Sequence, residues 1–268
     1  MYKLALSSCG KEIGDELFKS YRAAGIKAIE ISVDKEECDK FDFTAALNLS
    51  QKYGVELWSF HLPFCPFSEI DISIPELKAH TVEYFKSLIK KGADVGIRVF
   101  VIHPSGEPIK DSDRKMRLET AKESLKELAQ FAKNLGVIIA VEDLPRTCLG
   151  RNSDEILELL SADDSLRVCL DTNHLLSESL PHFIKAVGEK IITTHVSDYD
   201  FVDEKHWLPF EGKIDWAETV NALEDIGYNG VWLYELGFTA PKTMPRERDL
   251  TCEDFRANAE KILGDRLI

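Results

Sequence analysis

Histidines and carboxylates stand where apolar, strand-like runs of this sequence end. Such side chains bind metal ions and move protons, and their repeated position suggests that they act together. The ends of successive parallel strands converge in space only in a closed barrel, so these residues predict one common site. The run-ending residues are His61, His103, Glu142, Asp171, His195 and Glu235, and His174 and His206 follow in the next loops.

Three of the run-ending residues are acids in otherwise apolar surroundings. A carboxylate at a buried strand end is costly unless it is paired with a cation. A salt bridge is the ordinary explanation, but no Lys or Arg stands at the matching strand ends. With His195 between them in the chain, Glu142, Asp171 and Glu235 therefore predict a site for one divalent metal ion. This oxygen-rich set suits Mn²⁺, Mg²⁺, Co²⁺ or Zn²⁺ and leans towards the harder ions.

The remaining histidines have several open roles. His61 and His103 are candidate ligands of a second metal ion, but we favour substrate contact, because a polyol pocket needs neutral donors. His174 is expected to coordinate the ion, to orient Asp171, or to bind substrate. His206 lies in a long loop, where we predict that it contacts or gates the substrate. Glu30 points either into the barrel mouth or into an ion pair within the barrel.

Glu142 and Glu235 form a pair suited to acid–base chemistry on a sugar. A base removes a proton from the carbon beside a carbonyl, and a cation stabilises the resulting enediolate. Strands five and eight place the two carboxylates on either side of a bound substrate, so that one takes the proton and the other returns it. This arrangement predicts an epimerase or an aldose–ketose isomerase. A dehydratase stays open as an alternative, because the same base and metal can expel a β-hydroxyl group.

Alternating short apolar runs and longer amphipathic stretches must position these residues. The runs lie near 2–8, 27–32, 55–60, 97–102, 137–142, 167–171, 190–196 and 230–235. The helical stretches lie near 11–24, 40–53, 75–95, 113–135, 153–161, 178–188, 215–227 and 252–264. Eight strand–helix units predict an α/β fold, a (β/α)8 TIM barrel, as a single domain over residues 1–268. An open doubly wound sheet is the alternative, but it normally has fewer strands and one crevice.

Composition narrows the possible partners. The net charge of the 268 residues is -14, which disfavours nucleic acid, and we find no basic block. No apolar run reaches the roughly 20 residues of a membrane span, and the first residues lack a signal-peptide layout, so we expect a soluble, cytoplasmic protein. The cysteines are expected to be reduced; Cys9 and Cys65 either face the site or fill small buried spaces. A homo-oligomer is compatible with the sequence.

Several motifs together resemble the xylose-isomerase-like TIM-barrel superfamily, which includes sugar phosphate isomerases and epimerases. They are VEDLPR, LDTNH, THVSD, HWLPFEGKIDW and the final YE. The resemblance implies a single-metal site of Glu142, Asp171, His195 and Glu235, a catalytic pair of Glu142 and Glu235, and substrate contact by His174. The sequence departs from the family pattern at two places. Phe210 replaces a glycine of the family loop, and we expect it to narrow the mouth of the barrel or cover the substrate. The Arg that ketose 3-epimerases carry a few residues after the position of His195 is missing.

Endonuclease IV, a zinc phosphodiesterase of the same fold, is the main rival in another class. The positions of this chain that resemble its metal ligands are His61, His103, Glu142, Asp171, His174, His195 and Glu235. Its remaining metal ligands come from an Asp-x-His pair after the seventh strand. We find Asp203 and His206 there, three residues apart, and take the spacing as evidence against a nuclease. A non-catalytic sugar-binding barrel is a third hypothesis, which the intact pair of acids disfavours.

Overall fold

Short apolar runs form eight parallel strands in a computed structural model that describes residues 1–64 and 69–268. Cys65 lies outside the described residues. The strands are β1 (Lys3–Ser7), β2 (Ala28–Ser32), β3 (Glu56–His61), β4 (Val99–Ile102), β5 (Ile138–Glu142), β6 (Arg167–Asp171), β7 (Ile191–His195) and β8 (Val231–Tyr234). Their order in the sheet is β7-β6-β5-β4-β3-β2-β1-β8.

The sheet closes into a barrel where β7 meets β8. The backbone N–H of Val196 donates to the carbonyl of Leu233 (2.7 Å), and the N–H of Glu235 donates to the carbonyl of Val196 (3.3 Å). The protein is therefore a (β/α)8 TIM barrel, as predicted, and the open-sheet alternative was wrong. Because every strand runs in the same direction, all strand ends that carry candidate site residues open on one face.

The helices follow the predicted alternation. They are α1 (Asp15–Ala23), α2 (Lys35–Cys38), α3 (Phe43–Tyr53), α4 (Pro75–Asp94), α5 (Asp111–Leu135), α6 (Ser153–Leu160), α7 (Leu180–Val187), α8 (Trp216–Asp225) and α9 (Cys252–Leu263). Short 3₁₀ turns follow α7 and α9, at Gly188–Lys190 and Gly264–Arg266. The prediction missed α2, because four residues are too few to show a helical period.

Polar side chains define several helix starts. Thr251 and Asp254 form a capping box at α9, in the segment where the sequence predicted a helix start. At α6 the cap is Asn152, whose side chain accepts the N–H of Glu155, and Ser153 is the first helical residue. The turn after α3 needs a left-handed residue, and Gly54 supplies it with φ of 64°.

Apolar residues around the indole of Trp58 fill part of the barrel interior. Ala5, Ala28, Val231 and Leu233 pack on one side of Trp58, and Val99, Val101, Ala140 and Cys169 pack on the other. Trp58 Nε1 donates to Thr193 Oγ1 (3.1 Å). These residues form an apolar filling of the barrel interior.

Two further sequence expectations bear on the fold. The five described cysteines are free thiols, as expected. Within residues 1–64 and 69–268, no helix is both long and apolar enough to cross a membrane.

Candidate active site

Four predicted ligands meet at the centre of the C-terminal face. One side-chain atom from each of Glu142, Asp171, His195 and Glu235 lies within 4.8 Å of the others. His195 Nδ1 lies 3.2 Å from Glu142 Oε1 and 3.2 Å from Glu235 Oε2, and 3.9 Å from Asp171 Oδ2. The C-terminal ends of β5, β6, β7 and β8 bring these residues together, and Asp171 pairs in register with His195. We call these four residues the central group.

The central group is buried and carries an excess of negative charge. Burial, then the charges of Glu235 and Glu142, raise the pKa of Asp171 well above its ordinary value. Asp171 Oδ2 has no hydrogen-bond partner among the described residues, although it is buried. An unpaired oxygen inside a buried carboxylate cluster is costly unless a cation binds there. Three carboxylates and one imidazole therefore fit a divalent ion of the Mn²⁺, Mg²⁺, Co²⁺ or Zn²⁺ class.

The two glutamates differ from Asp171 in their electrostatics. Burial raises the pKa of Glu235, but the charge of His195 and its hydrogen bond outweigh burial and lower the pKa to about 2. Burial also opposes ionisation of Glu142, but His195 and His103 hold its pKa well below the ordinary value. Both glutamates are thus ionised at neutral pH, as a group that accepts a proton must be.

Glu30 lies directly beneath the central group and contacts His195 from the other side. His195 Nε2 lies 3.0 Å from Glu30 Oε1, and Ser59 Oγ donates to Glu30 Oε2 (2.8 Å). Of the two roles left open for Glu30, the structure therefore shows the ion pair within the barrel. A carboxylate on the far nitrogen fixes the imidazole and strengthens it as a ligand through Nδ1.

Asp143 and Asn173 fix the position of Asp171. Asp143 Oδ1 accepts the backbone N–H of Asp171 (2.8 Å), and Asp171 Oδ1 accepts the N–H of Asn173 (2.7 Å). One oxygen of Asp171 is thereby satisfied, which leaves Oδ2 facing the central group. Sequence reasoning assigned no role to Asp143, although its place directly after Glu142 was a signal.

His61 and His103 both approach the second oxygen of Glu142. Their Nε2 atoms lie 3.1 Å and 3.3 Å from Glu142 Oε2. Burial lowers the pKa of His61, but the hydrogen bond and charge of Glu142 raise it to about 9. Burial lowers the pKa of His103, whose ring stacks on Phe64 at 4.1 Å between centroids. Both imidazoles therefore border the space beside Glu142, in a place that serves either substrate or a second ion.

His174 and His206 lie together with an acid that the sequence analysis overlooked. One atom from each of His174, Glu204 and His206 lies within 4.8 Å of the others. Asp203 instead contacts Arg146, at 2.8 Å from Nη1. The argument from Asp203 and its three-residue spacing was therefore wrong, because Glu204, two residues before His206, occupies this place. The overlooked signal was the Glu-x-His spacing itself.

Arg146 ties three loops together at the rim. Its Nε donates to Glu107 Oε1 (2.9 Å), and its Nη1 lies 2.8 Å from Asp203 Oδ1 and 3.3 Å from Glu204 Oε2. Its backbone is left-handed, with φ of 53°, which costs free energy for a residue other than glycine. The guanidinium is thus occupied by carboxylates of the protein and organises the rim.

Phe210 does not border the substrate space, contrary to expectation. The residue is 47% exposed, and its ring lies under the ammonium of Lys261 on α9, 3.7 Å from the ring centroid. Its backbone N–H donates to Asp198 Oδ2 (2.9 Å) and its φ is 77°, which turns the side chain outward. The prediction that Phe210 narrows the mouth was wrong for this reason.

A cavity of about 1580 Å³ opens above the central group. Glu142 and Glu235 line it, whereas Asp171 and His195 lie beneath its floor. The four other predicted site residues, His61, His103, His174 and His206, also line it. Cys9 faces the same space, and burial, followed by the charge of Glu235, raises the pKa of its thiol to about 12. The thiol is thus protonated at neutral pH and is a poor nucleophile.

Residues 18–252 match the family described as xylose isomerase-like TIM barrel. The chain belongs to this family. The match covers the barrel from α1 to the start of α9 and includes every candidate site residue.

Individual relatives agree with this assignment. The chain is 28% identical to an uncharacterised protein (MJ1311) of Methanocaldococcus jannaschii over 194 residues, which is 69% of this chain and 66% of that protein. It is 28% identical to D-psicose 3-epimerase of Ruminiclostridium cellulolyticum over 203 residues, 69% of this chain and 67% of that protein. The solved structure of a D-tagatose 3-epimerase-like protein superposes with a TM-score of 0.80 at 21% identity, over 98% of this chain and 96% of that one. Relatives with functional names include sugar epimerases and inosose isomerases.

Proposed function

We propose that this protein is a divalent-metal-dependent sugar epimerase or isomerase that transfers a proton at the carbon beside a carbonyl group. The observation that carries the proposal is the placement of Glu142 and Glu235. Both are ionised carboxylates that line the cavity, they come from β5 and the end of β8, and both contact the same nitrogen of His195. Simple sugar binding needs no such pair of bases.

The residues divide the reaction between them. One glutamate accepts the proton from carbon, and the other returns a proton to the opposite face or to the adjacent carbon. A divalent ion held by the central group would supply positive charge to offset the negative charge that develops on the substrate oxygens. His61 and His103 lie beside Glu142 and offer Nε2 atoms to a substrate hydroxyl. The relatives named as D-psicose and fructoselysine 3-epimerases support a ketose, and those named inosose isomerase support a cyclic polyol ketone.

Exchange of carbon-bound hydrogen with solvent tests the proposed proton transfer directly. The protein loaded with Mn²⁺ or Co²⁺ is incubated in D₂O with ketoses, inososes and their phosphates, and NMR follows deuterium at the carbon beside the carbonyl. We expect exchange with at least one of these substrates, and a loss of roughly 10²- to 10⁴-fold in Glu142→Gln and in Glu235→Gln. A β-elimination product in place of an isomer would establish the dehydratase alternative.

A matched control separates catalysis from general disturbance of the barrel. Glu56 lies at the N-terminal end of β3, half-exposed and paired with Lys3, far along the strand from His61. Glu56→Gln should therefore keep full exchange. Exchange that survives in both Glu142→Gln and Glu235→Gln would refute the assignment of these two residues as the bases.

Phosphodiester hydrolysis is a second candidate function, favoured by the grouping of His174, Glu204 and His206 next to the central group. Several neighbouring ion sites suit displacement at phosphorus. We place it second because carboxylates outnumber Lys and Arg among the residues that line the cavity, which repels phosphate. Cleavage of an abasic duplex by the zinc-loaded protein, without hydrogen exchange on any sugar, would reverse this order.

A further inference from the structure

One part of the cavity extends from the central group towards α3, and we call it the α3 arm. In the closed ring of strands β2 lies across from β6 and β3 lies across from β7, so the loops after β2 and β3 are on the side opposite Asp171 and His195. These loops, α3 and one residue of α4 line the arm. Its wall is formed by Phe41, Ala46, Leu49, Ile70, Ile72 and Phe85.

Two small residues of α3 leave room for the arm. Leu49 lies four residues after Ala45 and three after Ala46, so the three side chains share one side of the helix. All three residues line the cavity. Because neither alanine extends beyond a methyl group, the space that longer side chains would fill stays open.

A buried ion pair fixes another part of the wall. Asp71 lies between Ile70 and Ile72 in the chain, and its Oδ2 lies 2.7 Å from Nη2 of Arg117 on α5. The same oxygen accepts the backbone N–H of Gly106 (2.9 Å). These contacts hold the loop after β3 against the loop after β4, so Ile70 and Ile72 belong to a wall that is formed without a ligand.

The wall of the α3 arm does not suit a sugar. A sugar carries hydroxyl groups on most of its carbons, and a hydroxyl that leaves water without a hydrogen-bond partner costs free energy. The side chains of Ile70, Ile72 and Phe85 offer only carbon atoms. By contrast, Glu142, Glu235 and the four histidines that line the cavity offer oxygen and nitrogen atoms. A sugar whose reacting carbon lies at the two glutamates therefore leaves the arm to a different chemical group.

The size of the cavity also requires more than a sugar ring. Its volume is about 1580 Å³, whereas pockets that bind drug-sized ligands measure about 300–1,000 Å³. A single sugar ring is smaller than such ligands. A ring bound above the central group therefore fills only a part of the cavity, and the α3 arm is the apolar part that remains.

We propose that the substrate is a sugar or polyol ketone joined to an uncharged apolar group, and that the α3 arm binds this group. The inference rests on the proposed function, because it names the class of substrate on which Glu142 and Glu235 act. Phosphate is disfavoured as the attached group, because acids outnumber bases among the described residues that line the cavity after β1 and β2. The acids are Glu12, Asp34, Glu36, Glu37 and Asp42, and the bases are Lys11 and Lys40.

Binding and hydrogen exchange measured on the same ligands test the proposal. The ligands are D-fructose, its 1-O-alkyl and 6-O-alkyl ethers with chains of one to six carbons, and D-fructose 6-phosphate. Calorimetry measures the affinity of the full-length protein loaded with Mn²⁺ or Co²⁺, and NMR in D₂O follows exchange at carbon. We expect the affinity to rise about fourfold for each methylene that enters the arm, in at least one ether series. The phosphate should bind less tightly than the hexyl ether of that series.

Ala45→Trp and Thr44→Trp are a matched pair of variants. Both residues are exposed in the first turn of α3, but Ala45 lines the cavity and Thr44 does not. Ala45→Trp places an indole in the arm, so the hexyl ether should lose its advantage over D-fructose. Thr44→Trp should keep the wild-type ratio of the two affinities. Leu49→Asn, which puts an amide into the wall, should reduce the gain per methylene. Circular dichroism and thermal unfolding establish that each variant is folded.

Three results would overturn the proposal. One is an affinity that does not rise along either ether series, and another is a rise that is the same in Ala45→Trp and Thr44→Trp. The third is tighter binding of D-fructose 6-phosphate than of every ether. Exchange on D-fructose without a rise in affinity would reject this inference and leave the proposed function standing. A rise in affinity without exchange on any ketose or inosose would instead reject the proposed function and leave the α3 arm as the binding site of an apolar group.

Discussion

The substitution Glu30→Gln tests whether Glu30, which lies beneath the central group, controls the affinity of that group for a divalent ion. Glu30 is fully buried and lies 3.0 Å from His195 Nε2, on the opposite side of the ring from Glu142 and Glu235. Gln has the same size and can still accept the hydrogen of Ser59 Oγ and that of Nε2. It removes only the negative charge, so the effect reports electrostatics and not packing.

The structure sets the expected magnitude. A carboxylate behind a ligating imidazole raises its basicity, and loss of such a partner lowers metal affinity about 10- to 100-fold. That range corresponds to roughly 1.4–2.8 kcal/mol of binding free energy. We expect a smaller loss in Ser59→Ala, because Ser59 touches Glu30 and not His195.

Competition with a chromophoric chelator measures the affinity for Mn²⁺, Co²⁺ or Zn²⁺ at one fixed pH. Thermal unfolding of the metal-free proteins runs beside it, because a buried pair that loses a partner can also lose folding stability. Glu56→Gln serves as the control, since Glu56 pairs with Lys3 at the opposite end of the barrel. A folded Glu30→Gln protein with wild-type affinity, or an equal loss in Glu56→Gln, would refute the reasoning.

Three other predictions concern the rim and the ion. Phe210→Gly should leave turnover and KM unchanged, because the ring lies against Lys261. A raised KM would instead indicate that Phe210 contacts the substrate. Gly212→Ala should destabilise the protein by about 1–3 kcal/mol in chemical denaturation, because its Cβ would lie 2.1 Å from Asp198 Oδ1 and 2.4 Å from the Tyr199 carbonyl. An unchanged midpoint would contradict that contact. Zn²⁺ or Mn²⁺ at 100 times its dissociation constant should stabilise the fold by about 2.7 kcal/mol, reversed by chelator, whereas no shift in Tm would argue against a resident ion.

Local patterns carried most of the fold prediction. Apolar runs and amphipathic stretches alternate with different periods, and both periods are visible within a few residues. Every predicted strand and every predicted long helix is present, with ends that differ by a few residues. The short α2 was missed because one turn of helix shows no period.

The central group was predictable for a topological reason. Once eight strand–helix units indicate a closed parallel barrel, the C-terminal ends of all the strands surround one opening, where their polar side chains are expected to gather. Glu142, Asp171, His195 and Glu235 needed no further information to be placed together. Their role as metal ligands and bases stays a prediction that the experiments above test.

The role of Glu30 could not be predicted from the sequence, because its contact with His195 crosses the barrel. Glu30 pairs in register with Ser7 on one side and Ser59 on the other, and it meets His195 only because the ring closes. A charged residue in the middle of an apolar strand was a signal, but not one that named its partner.

The sequence by itself determined the barrel and the residues at its strand ends. Only the tertiary structure decided where the side chains of the loops after the strands lie. Local periodicity and strand-end chemistry determined the barrel and its central group, because both depend on neighbours in the chain. The grouping of His174 with Glu204 and His206, and the outward turn of Phe210, depend on remote partners. Arg146 and Asn173 hold Glu204 and His206, and Asp198 sets the backbone at Phe210. A loop has no internal hydrogen-bond pattern to dictate its path, so contacts with distant residues decide where its side chains point.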